Sequence, residues 1–158
     1  MQKVTQEEVA KYLYENRYEM LRFVMSLVEN YADAEDVVGE AIIKVLEKRE
    51  QLRYAEKLKS WTMTIVANCA KDLLKKRNRI SFVNIEEVEI KDEQDFVGEC
   101  DELWSIIQQF SVEYRMVLVL YYYNEFTIEE ISKALKIPIG TVKSRLARGR
   151  DKIAMELL

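Results

Sequence analysis

Histidine is absent from this 158-residue chain. That removes His-ligated zinc sites and histidine-based nucleophile triads together. Four glycines and one proline are too few for the many tight turns of an all-β protein, so an all-α fold is favoured. The two cysteines, Cys69 and Cys100, lie far apart without CxxC spacing and read as small, reduced, buried side chains. No apolar run approaches the roughly 20 residues of a membrane span, so no membrane insertion is expected. Gln2 to Glu8 hold no apolar signal-peptide core, and a cytoplasmic location is the expectation. There is no Gly-rich phosphate loop, HExxH or GxSxG; the chain is not read as an enzyme, and no catalytic residue, metal or cofactor is expected.

About half of the residues are hydrophobic (49%), enough for one ordinary domain or two small ones. The net charge of −4 hides a strong unevenness. Lys71 to Arg79 hold five bases and one acid, Glu86 to Glu102 nine acids and one base, and Lys136 to Lys152 six bases and one acid. Two basic segments therefore flank an acidic connector.

Apolar residues recur at helical spacing over 6–30 (Val9, Leu13, Met20, Leu21, Val24, Leu27, Val28). Asn30-Tyr31-Ala32 interrupts them, and Asp33 is the expected N-cap of a second helix reaching about Arg49, with Ala34, Val37, Val38, Ala41 and Val45 as its stripe. A polar stretch, Glu50 to Lys59, precedes a third helix from Ser60 or earlier to Lys76. Ile80 to Ile85 look β-like, and the acidic residues behind them read as a linker. Helical spacing resumes near Asp101, Ser111 can cap the helix bearing Tyr114 and Leu118, and Thr127-Ile128-Glu129-Glu130 is a capping box. The architecture predicted is two small helical domains, residues 1–80 and 101–158, joined by a linker at 81–100 and free to move on it.

Three segments carry chemistry. The first is a short capped helix, the Ile137-Pro138 turn, and a basic helix opened by Gly140: a helix-turn-helix pattern. Lys143, Ser144, Ala147 and Arg148 share one strip opposite Val142, Leu146 and Ile153. Such a strip suits a major groove, where Lys and Arg donate to guanine O6 and N7. Thr141 and Arg145, at its edges, suit phosphates. In the second segment, Ser60-Trp61 to Asp72, an apolar helix with a lone Asn68 runs into Lys71, Lys75, Lys76, Arg77 and Arg79. Such a cluster can follow a nucleic-acid backbone, although basic residues also suit a helix C-terminus. The third is Asp33 to Ala41, in which Asp33, Asp36 and Glu40 lie on one helix face. Three carboxylates could bind a metal or serve acid–base catalysis, but no histidine or partner cluster supports that; acids near a helix N-terminus are favoured by the dipole, a protein-docking surface is the third reading, and composition does not separate these last two.

In this order and spacing the segments resemble the extracytoplasmic-function (ECF) group of the bacterial sigma-70 family. Asp33 to Ala41 looks like region 2.2, Ser60-Trp61 to Arg79 like regions 2.3 and 2.4, and Tyr114 to Leu118 with Thr127 to Ile131 and Ile139 to Leu146 like region 4. The resemblance implies an alternative-type sigma factor that binds core RNA polymerase and directs promoter-specific initiation. It implies that Asp36 and Glu40, with Asp33, dock on the β′ coiled coil, and that Leu118 and Tyr121 help seat the β flap. Asn68 matches the asparagine that helps hold a flipped base of the −10 element, with Lys71 and the Lys75 to Arg79 cluster along the backbone. Lys143, Ser144, Ala147 and Arg148 match the base-facing positions for the −35 element. An anti-sigma factor is the remaining partner implied. Gly39, Ile42, Phe110-Ser111 and the small Ala147 depart from the usual pattern, and Ala147 leaves the −35 preference open. The competing reading, from residues alone, is a stand-alone helix-turn-helix regulator that binds duplex DNA without polymerase.

Overall fold

A computed structural model of the chain describes residues 3–28, 30–77 and 101–158. Arg79, Cys100, the β-like Ile80 to Ile85 and the acidic linker fall outside the described residues. Eight α-helices are present among those described: α1 (Gln6–Glu15), α2 (Arg17–Met25), α3 (Tyr31–Glu47), α4 (Leu58–Lys76), α5 (Glu102–Ile107), α6 (Val112–Tyr122), α7 (Ile128–Leu135) and α8 (Ile139–Leu157), with 3₁₀ turns at Arg49–Gln51 and Ala55–Lys57. The all-α expectation holds.

Two boundaries differ from the sequence reading. The apolar period over 6–30 is split, because Asn16 ends α1. Its backbone N–H and its side-chain Nδ2 both donate to Tyr12 O, each at 2.9 Å, and an amide that competes for backbone partners interrupts a helix. The N-cap of α3 is Asn30 rather than Asp33: Asn30 Oδ1 accepts from Asp33 N–H at 2.8 Å. Asn is as good a cap as Asp, and the earlier cap leaves Asp33 in the first helical turn, where the dipole favours its charge. Tyr31 and Ala32 are thus helical instead of a break.

Helices α1 to α4 enclose Val9, Phe23, Val24, Leu27, Val37, Ala41, Val45, Val66 and Ala70, all buried. Among α5 to α8, α6 is the central helix: Tyr114 to Leu120 are buried without interruption, as expected for a helix packed on all sides. Ile107, Ile131, Val142 and Leu146 pack around it. The buried residues of both halves form one continuous cluster. Helix α7 packs extensively on α4, and α6 also touches α2. The two halves therefore meet directly, a contact that no periodicity within either half encodes.

Candidate nucleic-acid interface

The helix-turn-helix is specified residue by residue. Thr127 Oγ1 accepts from Glu130 N–H at 3.1 Å, and Glu130 Oε1 accepts from Thr127 N–H at 2.8 Å, the reciprocal capping box. Helix α7 ends at Lys136, in the left-handed region at φ 56° and ψ 47°. Ser132 Oγ reaches over the turn to donate to Ile137 O at 2.6 Å. Pro138 is the N-cap of α8, and its carbonyl accepts from Thr141 and Val142 N–H at 3.0 and 3.1 Å. Proline fits there because its missing N–H has no helical partner in any case.

The nineteen-residue α8 presents Lys143, Ser144, Ala147 and Arg148 to solvent, while Val142, Leu146, Gly149 and Ile153 are buried. The expected strip therefore exists. Gly149 holds α8 close to α6: a Cβ there would stand 2.6 Å from Leu118 Cδ2. Arg148 Nη1 lies 3.5 Å from Tyr114 Oη. Thr141 and Arg145 are half-buried.

On α4, Asn68 is exposed, with Lys75, Lys76 and Arg77 exposed beyond it and Lys71 half-buried. Arg77 is held by Asp33: its Nη2 donates to Asp33 Oδ1 at 2.7 Å, and its Nη1 to Asp33 Oδ2. A residue read as DNA-facing and one read as polymerase-facing are thus bound to each other. Asp36 and Glu40 are exposed on α3, and Glu40 pairs with Lys44 at 3.0 Å. Ile43, 59% exposed, lies on the same face at i+7 from Asp36 and adds an apolar element that sequence reasoning passed over. Its signal was an isoleucine outside the α3 stripe. Leu118 is fully buried and Tyr121 is exposed.

One basic residue of each half, Lys71 of α4 and Arg145 of α8, comes within electrostatic reach of the other and of Glu113 on α6. Burial pushes the Lys71 ammonium below its ordinary value; Glu113 of α6 opposes this, while Lys75 and Arg145 of α8 add to it. The Glu113 carboxyl is itself raised by burial, against the pull of Arg145, Lys71 and Arg115. Around them run side-chain contacts across the halves. Thr64 Oγ1 lies 2.7 Å from Ala134 O and 2.9 Å from Ser60 O, its single proton shared between the two carbonyls, and Ser60 Oγ donates to Glu130 O at 3.4 Å. Lys59 Nζ meets Glu130 Oε1 at 3.1 Å and stands 4.5 Å from the Phe126 ring centre. Arg22 Nη2 donates to Tyr123 O at 2.6 Å, and Asn124 Nδ2 to Glu19 O at 3.0 Å. Beside them lies a cavity of about 490 Å³ that Tyr12, Met20, Met63 and Phe126 help line. Burial, with Glu130 nearby, pushes the Tyr12 phenol up to about 12.

These features define a helical protein with a helix-turn-helix and a second basic helix. Family comparison gives the class its name. The sigma-70 region 2 model matches residues 13–80 and the sigma-70 region 4 model matches residues 100–153. RNA polymerase sigma factor SigV of Bacillus subtilis is 29% identical over 145 residues, covering 90% of this chain and 87% of the relative. The ECF RNA polymerase sigma-E factor of Escherichia coli K12 is 30% identical over 150 residues, covering 82% and 78%. Sigma factor RpoE of Bartonella quintana, solved with the anti-sigma factor NepR, superposes with a TM-score of 0.74 at 26% identity, covering 94% of this chain and 95% of that one. The chain belongs to the sigma-70 family, in its ECF group: it is a subunit that binds core RNA polymerase and directs promoter-specific initiation. Members of this family are not enzymes. The stand-alone regulator reading is set aside. No described helix is long and apolar enough to cross a membrane.

Proposed function

We propose that three surfaces divide the work of this sigma factor, carried by residues 1–80 as domain 2 and 101–158 as domain 4 with the segment 81–100 between them. On α8, Lys143, Ser144, Ala147 and Arg148 read base edges of the −35 element, and Thr141 and Arg145 contact its phosphates. The observation that carries this assignment is the exposure of that strip opposite buried Val142, Leu146 and Ile153.

On α4, Asn68 holds a base flipped from the −10 strand, while Lys71, Lys75, Lys76, Arg77 and Arg79 follow the backbone. Flipping costs a few kcal/mol, offset by the pocket and by polymerase contacts. Asp36 and Glu40, with Ile43 beside them, dock on the β′ coiled coil. Asp33 contributes indirectly, by fixing Arg77. Tyr121 joins the seat for the β flap. The protein works in the cytoplasm and is held there by an anti-sigma factor; the complex of the related RpoE with NepR supports such a partner.

Asn68→Ala is the test. Promoter opening, followed by permanganate reactivity of unpaired thymines, falls sharply while co-elution with core polymerase holds. An equal fall in both would make Asn68 a structural residue and remove it from the −10 site.

A further inference from the structure

We infer that Tyr114 is a positioning residue for −35 recognition: its phenol oxygen, steadied by the Phe110 ring, sets the direction in which the Arg148 side chain leaves α8, an inference that rests on the proposed assignment of Arg148 to a base edge.

Three basic residues of α8, Arg145, Arg148 and Lys152, recur at i, i+3 and i+7 and share one flank of the helix. A short segment of the neighbouring helix lies against that flank: Phe110 just ahead of α6, with Glu113 and Tyr114 in its first turn. Each cation meets a different electron-rich group of this segment. Arg145 is within electrostatic reach of the Glu113 carboxylate. Arg148 Nη1 stands 3.5 Å from Tyr114 Oη, which can accept from it. Lys152 Nζ stands 5.5 Å from the centre of the Phe110 ring, within the range of a cation–π contact. Like charges on one flank repel, and each here has its own group to settle on.

The groups beneath Arg148 are held in place. Phe110 and Tyr114 are both buried, with ring centres 5.7 Å apart and planes tilted by 37°. Gly149 brings the two helices together, since a Cβ there would stand 2.6 Å from Leu118 Cδ2. Leu118 is one helical turn beyond Tyr114 on the same face of α6. That close approach leaves Arg148, one residue before Gly149, in reach of Tyr114.

An arginine on a helix surface samples many rotamers, and immobilising it on a base costs entropy. Bidentate contact with guanine also needs the planar fork in one orientation. Tyr114 restricts that choice before DNA arrives. At 3.5 Å the contact is long for a hydrogen bond, so it guides the guanidinium and gives it up to a base at little cost. Ala147, beside Arg148 on the strip, offers only a methyl group, which leaves hydrogen-bonded discrimination there to Arg148.

Tyr114→Phe removes the oxygen and keeps the ring. The full-length chain is assembled with core RNA polymerase, and discrimination is read as the ratio of run-off transcription from the preferred −35 sequence to that from single-base mismatches. At the position where Arg148→Ala relaxes the preference, Tyr114→Phe should lower the ratio about threefold, with co-elution with core unchanged. In the Arg148→Ala background it should lower the ratio no further. Phe110→Leu, which keeps the oxygen and loosens the ring, should act at the same position by a smaller factor, and it replaces Tyr114→Phe should that variant fail to fold by circular dichroism. Unchanged discrimination in the folded variant, where Arg148→Ala does relax it, overturns the inference and leaves Arg148 on DNA. A fall that is as large in the Arg148→Ala background makes Tyr114 a structural residue and overturns it too. Arg148→Ala without effect at any −35 position removes the DNA assignment itself, and the positioning role with it.

Discussion

Gly149→Ala tests the seating of α8 on α6. Gly149 lies in the interior of α8 and is buried against α6. A Cβ added there stands 2.6 Å from Leu118 Cδ2, 3.2 Å from Cδ1 and 3.3 Å from Cγ. Leu118 is fully buried, so its methyls have no open side to move into. Overpacking of this kind costs about 1–3 kcal/mol. Opposing it, alanine is favoured over glycine inside a helix by about 1 kcal/mol. The balance is a net loss of roughly 0–2 kcal/mol. A double-mutant cycle separates the two effects. Leu118→Ala alone costs about 2–5 kcal/mol, but it removes every atom that the new Cβ would strike. In that background Gly149→Ala should become stabilising by up to about 1 kcal/mol. Urea unfolding of all four proteins measures the cycle. Gly149→Ala stabilising to the same extent in both backgrounds would refute the close approach of α8 to α6.

The remaining predictions concern single sites. Thr127→Ala breaks the capping box and should cost about 1 kcal/mol in urea unfolding. Burial tends to raise the Glu130 carboxyl, but the Thr127 N–H and the Lys59 ammonium outweigh it and hold the group below its ordinary value. Its contribution to stability is therefore present above the unfolded-state value and lost as pH falls through the folded one. Glu130→Gln should flatten that part of the acid-side stability profile, and an unaltered slope would contradict the pairing. In the assembled holoenzyme, Arg148→Ala should relax −35 selectivity. Lys75→Ala should weaken promoter binding evenly across sequences and lower the salt slope by about one; a binding-site selection at two salt concentrations distinguishes them.

Much of this protein was legible before its structure. The capping box at Thr127, the turn at Pro138 and the strip Lys143, Ser144, Ala147 and Arg148 follow from local rules of helix start, turn chemistry and period, and all three stand in the structure. Local rules misled where two residues competed for one role. Asn30 and Asp33 are both good caps, and only the closing hydrogen bond decides between them. The apolar period over 6–30 runs past Asn16 without a mark, and the break there is set by its side chain taking Tyr12 O. The contact between the halves was beyond reach for a different reason. Arg22, Lys59, Thr64 and Asn124 carry no pattern of their own, and their partners are carbonyls and a carboxylate roughly 70 to 105 residues away. The same contact draws Lys71 and Arg145 away from solvent, which a reading of each basic segment alone could not anticipate.

Promoter-dependent run-off transcription tests the account most directly: the purified full-length chain is mixed with core RNA polymerase and offered a library of promoter fragments. The account predicts co-elution with core and discrete transcripts from templates sharing a −35 and a −10 element, with transcript yield reduced by Asn68→Ala and core binding unchanged. Failure to co-elute with core, together with no transcript from any member of the library, would contradict it.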